Sequence, residues 1–113
     1  MGHRCRVMWI ERKGNGLVGP ARIGRVTFSK SGASLFYGGR TFQSLKGQGF
    51  KTNFRDVESG EEYWISGCHR DGNDALYSTT VEVDEDVLEE YWVTIRRRPD
   101  LKHVRRFYAP GKY

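Results

Sequence analysis

Apolar and polar residues alternate in short runs broken by glycine over residues 5–83, the signature of half-buried strands rather than of helices. Arg6 to Glu11 is the first predicted strand and Arg22 to Ser29 the second, with Gly24, Val26 and Phe28 on one face and Ile23, Arg25 and Thr27 on the other. Gly14-Asn15-Gly16 and Gly19-Pro20 mark the loop between them. The clearest hairpin is Leu35 to Phe42, because Gly38-Gly39 supplies the positive φ of a two-residue primed turn. That turn sets the register: Leu35 faces Phe42, Tyr37 faces Arg40, and Phe36 faces Thr41 from the other side. A second hairpin runs from Phe50 to Val57 and back along Glu62 to Ser66, and a further strand covers roughly Leu76 to Val83.

The period changes once. Val87, Leu88, Tyr91, Trp92 and Ile95 form a single apolar stripe at helical spacing. The predicted α-helix spans about 84–98, with the Asp84 carboxylate as its cap, acidic residues in its first turn and Pro99 at its end. Trp64, Ile65 and Trp92 lie in the two most apolar runs; two of the three are expected to be buried, with the helix docking through Trp92. A mainly β fold follows: a small, strongly curved antiparallel sheet or Src-homology-like barrel of five or six strands, with the helix plugging one open end. An open antiparallel sheet with the helix across one face is the alternative. Residues 1–98 form one domain, and 99–113 read as a basic C-terminal tail or a last edge segment.

Charge changes the picture more than composition does. Residues 1–55 carry eleven Lys/Arg against Glu11 alone, residues 56–90 twelve Asp/Glu against Arg70 alone, and residues 91–113 seven Lys/Arg against Asp100. Such a chain either folds its acidic block onto its basic ones or displays two separate fields. The acidic residues from Glu82 to Glu90 are expected to make a separate negative face. A basic surface interleaved with aromatics suits nucleic acid, since cations hold phosphates while rings stack on bases. The candidate nucleic-acid-binding residues are Arg22, Arg25, Tyr37, Arg40, Lys51 and Arg55. Strand alternation alone would also place such cations on a solvated outer face and the rings in the core.

RNA or single-stranded DNA is the expected partner, with a protein-interaction adaptor holding a peptide in a barrel groove as the alternative. A toxin-type ribonuclease, with His69 or His103 as acid or base and Arg40 or Arg70 on the phosphate, is a third reading. Cys68-His69 with Asp71 and Asp74 is the densest cluster of reactive side chains, but adjacent residues point apart and a zinc site would need Cys5 and His3 as well. Gly14-Asn15-Gly16 and Gly47-Gln48-Gly49, near Arg12, Lys13, Lys46 and Lys51, fall short of a phosphate-cradling pattern and read as turns. No catalytic residue, metal or cofactor is expected. The two cysteines are expected to be reduced thiols, and with no secretory signal or long apolar run the expected compartment is the cytoplasm, without membrane contact.

Gly19 to Lys30, Gly39 to Gly47 and Gly60 to Gly67 together resemble a family of short uncharacterised bacterial proteins, some of which carry the automatic name 1-deoxy-D-xylulose-5-phosphate synthase. The resemblance covers roughly residues 4–98. A thiamine-diphosphate synthase would need a far longer chain and a Gly-Asp-Gly segment with a downstream Asn pair, of which Asp71-Gly72-Asn73-Asp74 is only a turn-like echo. The resemblance therefore carries over no catalytic residue.

Overall fold

The computed structural model describes residues 4–13, 20–49 and 51–111. Six antiparallel strands, β1 (Cys5–Arg12), β2 (Ala21–Phe28), β3 (Ser34–Tyr37), β4 (Arg40–Ser44), β5 (Phe54–Asp56) and β6 (Glu62–Gly67), follow one another as a meander. The meander closes on itself because β1 pairs with both β2 and β6. Two more strands, β7 (Thr79–Val83) and β8 (Arg106–Ala109), extend the wall from β2, with β7 parallel to it. The Gly14-Asn15-Gly16 turn lies outside the described residues.

The predicted hairpin register is the one observed: Leu35 pairs with Phe42, Phe36 with Thr41 and Tyr37 with Arg40, around glycines at φ 59° and 77°. The second hairpin is shorter than the pattern implied, since β5 holds only Phe54–Asp56, and β7 begins at Thr79 rather than Leu76.

Two cores result from strands that are apolar on both faces. Met8, Ile10, Val26, Leu35, Phe42 and Ile65 point into the barrel. On the opposite faces of β1 and β2, Val7, Trp9, Ala21 and Ile23 meet Val81, Val83, Val87, Leu88, Tyr91, Trp92 and Ala109. An outer face this apolar must be covered. The helix does so from outside, lying on the β1–β2 wall instead of plugging an open end. It also differs in winding and length. A 3₁₀ turn, Glu85–Val87, leads into Glu90–Ile95, which is wound with i→i+5 hydrogen bonds, as in Arg96 N–H to Tyr91 C=O at 2.9 Å. The wider turn stops at Ile95, three residues short of the expected Arg98, and Arg97 turns the chain at φ 55°. Residues beyond Pro99 return along β7 as the edge strand β8, the second of the two readings for this segment. Among the described residues no helix is long and apolar enough to cross a membrane.

Ile65 and Trp92 are buried and Trp64 is half-buried. Trp92 is 1% exposed, and its indole N–H donates to the Val104 carbonyl at 2.8 Å, so it pins both the helix and the chain leading to β8. Trp92→Ala is expected to cost about 3–5 kcal/mol of unfolding free energy in a urea titration followed by far-ultraviolet circular dichroism. An unchanged midpoint would rule out this docking.

Candidate nucleic-acid interface

Strand parity sends Arg12, Arg22, Tyr37, Arg40 and Tyr63 to the same mouth of the barrel, one layer above the apolar interior. The β7–β8 pair stands beside that mouth and contributes Thr80, Glu82 and Arg106. Between them lies an open groove of about 940 Å³, with Arg25 and Asp86 at its margin.

At its centre Tyr37 donates its hydroxyl hydrogen to Asp84 Oδ2, while Arg22 Nε donates to Asp84 Oδ1 at 3.0 Å and to the Tyr37 oxygen at 3.3 Å. Arg22 Nη1 reaches Glu82 at 2.8 Å. Gly24 is what admits this cluster. A Cβ at position 24 would overlap both the Tyr37 ring and the Asp84 carboxylate. Backbone geometry explains the space: β3 pairs with β2 only at Thr27 and Phe28, β7 only at Ala21 to Ile23, and the stretch between is left to side chains. Burial and the Asp84 carboxylate together hold the Tyr37 hydroxyl protonated, far above the ordinary phenol range.

Every groove arginine has a carboxylate partner. Arg12 pairs with Glu61 at 2.7 Å, Arg25 with Glu90 at 2.8 Å and Arg106 with Glu82 at 2.6 Å, and Arg40 pairs with Asp56. The expectation of a separate negative face is thus corrected: residues 82–90 fold onto the basic strands. Asp84 likewise makes no side-chain cap; its oxygens are taken by Tyr37 and Arg22. The Asp56 carboxylate is fully buried, accepting from the Glu58 and Ser59 amides as well as from Arg40.

Of the six candidate residues, the groove collects Arg22, Arg25, Tyr37 and Arg40. Arg55 does not join them, because strand parity puts it on the outer face of β5 between the inward-facing Phe54 and Asp56. Lys51 lies elsewhere too, donating to the Tyr77 hydroxyl beside a smaller cavity that Glu11, Lys13 and Asp74 line. In that cavity Lys13 and Glu11 form a buried pair at 2.9 Å, with the Trp9 indole on the other Glu11 oxygen. Tyr37 is also half-buried and tethered rather than a free ring at the hairpin tip. Arg12, Tyr63 and Arg106 were missed. Arg12 and Tyr63 are cross-strand partners, a pairing legible only once β1 is known to reach β6.

The Cys68-His69 loop is structural in its contacts. Burial pushes the Cys68 thiol up to about 12, with Asp74 adding to the effect, and His69 Nδ1 lies 2.9 Å from the Asn73 carbonyl. Among the described residues no group of three or more His, Cys, Asp or Glu is placed to hold a metal. The His3 of the zinc reading lies outside them. Among the described residues no histidine lines the groove. The chain matches no family model, no curated protein and no solved structure.

Two measurements check this geometry. The Glu58 amide first, then Arg40, holds Asp56 below the ordinary carboxylate range, so its ionised form stabilises the fold at neutral pH and loses that contribution as pH falls through the lowered pKa. Asp56→Asn is therefore expected to lower the melting temperature at pH 7 and to converge on the parent protein only as the pH falls below the ordinary carboxylate range. Parallel melting curves over the whole range would overturn it. In a timed alkylation near pH 8, exposed Cys5 is expected to react well before half-buried Cys68, whose thiol pKa is raised, and unfolding is expected to bring the two rates together. Equal labelling of both thiols in the native protein would contradict their placement.

Proposed function

We propose that this chain is a small binding barrel that takes a single strand of RNA or DNA into the groove at its mouth. The observation that carries the proposal is the convergence of Arg12, Arg22, Arg25, Arg40 and Arg106 with Tyr37 and Tyr63 on one open cavity. Arginine presents a planar fork of donors suited to phosphate oxygens, and tyrosine rings accept stacked bases. The carboxylates refine the picture. Because each guanidinium is already held, it is oriented in advance, and a phosphate gains hydrogen bonds from it more than net charge. Asp86 and the remaining lone pairs of Glu82 in turn accept from base amino groups or ribose hydroxyls, the donors that a bare phosphate chain lacks. Recognition then rests on arginines that position the backbone, rings that stack, and carboxylates that read edges.

The same mixture of signs favours one other reading, an adaptor that holds an extended peptide carrying both charges. Salt separates them, since phosphate contacts weaken with ionic strength by a slope that counts cations.

The test is fluorescence anisotropy with mixed RNA and DNA oligomers at low and moderate salt. Tyr37→Ala is expected to cost about 1–3 kcal/mol of single-strand affinity. Arg40→Glu should weaken all sequences alike, and so should Arg106→Glu, which leaves Asp56 its arginine. No binding tighter than about 10⁻⁴ M at low salt, or full affinity in both arginine variants, would leave the peptide adaptor ahead.

A further inference from the structure

Asp56, Glu61, Glu82, Asp84 and Glu90 of the acidic block pair with arginines at one end of the barrel. Between Arg12 and Asp56 the chain has no carboxylate at all, so every acid facing β2, β3 and β4 comes from another part of the sequence. Those acids gather at the groove. The opposite end is built from the start of β1, the β2–β3 turn and the loop after β4, brought together by Phe28 N–H to Arg4 C=O at 2.8 Å and Ser44 N–H to Ala33 C=O at 2.9 Å. It presents Arg4, Lys30 and Lys46, all exposed, and among the described residues none of the three has an ion pair. Arg4 lies 5.4 Å from the centre of the half-buried Phe28 ring. Lys46 is exposed at φ 53° on a turn closed by Gln48 N–H to Leu45 C=O at 3.0 Å, a left-handed conformation that a non-glycine residue rarely adopts.

We infer that this end is a second contact for the sugar-phosphate backbone of the same single strand, with Arg4, Lys30 and Lys46 as phosphate positioners. The inference rests on the nucleic-acid reading of the groove. It divides the labour along the barrel: hydrogen-bonded recognition where the arginines are paired, and electrostatic attraction where the cations are bare. An eight-residue strand at roughly 3.3 Å per residue separates the two ends by about 26 Å, so only a strand long enough to cover that distance engages both.

The experiment compares oligonucleotides of about 4 and about 16 nucleotides against a Lys30→Glu/Lys46→Glu double variant and Arg106→Glu, each checked for an unchanged melting temperature. The double variant is expected to bind the long strand about tenfold more weakly at low salt, with a salt slope shallower by about 1.4 for two lost cations, while the short strand binds as before. Arg106→Glu should weaken both lengths. Long-strand binding and slope unchanged in the double variant, with both lengths weakened by Arg106→Glu, would overturn the second contact and leave the groove reading standing. Failure of either length to bind the parent protein would overturn both. Poly-glutamate binding as tightly as the long strand, and lost in the double variant, would reassign this end to acidic proteins.

Discussion

Strands β1 and β2 are apolar on both faces, and the rest of the molecule is arranged to bury both. One set of side chains makes the barrel interior, but Val7, Trp9, Ala21 and Ile23 on the other side would face water if the barrel stood alone. The residues after Gly67 supply the cover. They run along the outside of this wall, add β7 in parallel to the first half of β2 and bring the helix down on Trp9 and Ile23 through Tyr91 and Trp92. Placing β7 there takes up the edge of β2 that β3 would otherwise pair with, so β3 meets β2 at only two positions. The groove is the result of that divided edge.

The same docking determines the electrostatics. The turn from β7 into the helix carries Asp84 directly against Gly24, and the carboxylate expected to cap the helix is instead committed to Tyr37 and Arg22. Glu82 serves Arg22 and Arg106 together, and Glu90 holds Arg25. Most of these pairs are solvent-exposed, where water and salt screen them, so they orient the guanidinium groups more than they hold the fold. Stability resides in the two apolar layers, while the ion pairs set the pattern of charge and hydrogen-bond donors at the mouth of the barrel.

Much of the barrel was legible in the chain because its signals are local. A two-glycine turn between alternating runs specifies the β3–β4 register residue by residue, and Pro99 with the apolar stripe locates the helix to within three residues. What could not be read depends on long-range partners. The winding of Glu90–Ile95 is set by the surface beneath it, since the wider turn is what seats Tyr91 and Trp92 side by side in the outer core. Arg22 and Arg25 look alike in sequence, yet one lies inside the groove and the other at its rim, because strand parity has meaning only once both faces of β2 are known to be covered. Arg55 was misassigned for the same reason, and the Arg12–Tyr63 pair was missed because barrel closure joins residues some fifty positions apart.

All six barrel strands lie within residues 5–67, whereas their outer cover comes from residues 75–109. During synthesis from the N-terminus, the barrel is thus the first part able to close, and for an interval it carries an uncovered apolar wall. The chain made by that stage carries eleven Lys/Arg against five Asp/Glu. Like charges on nascent chains repel one another, which disfavours association through that wall until the acidic segment and the helix arrive. The order of charges along the polypeptide thereby leaves a net positive charge on the part of the chain whose apolar wall is still bare.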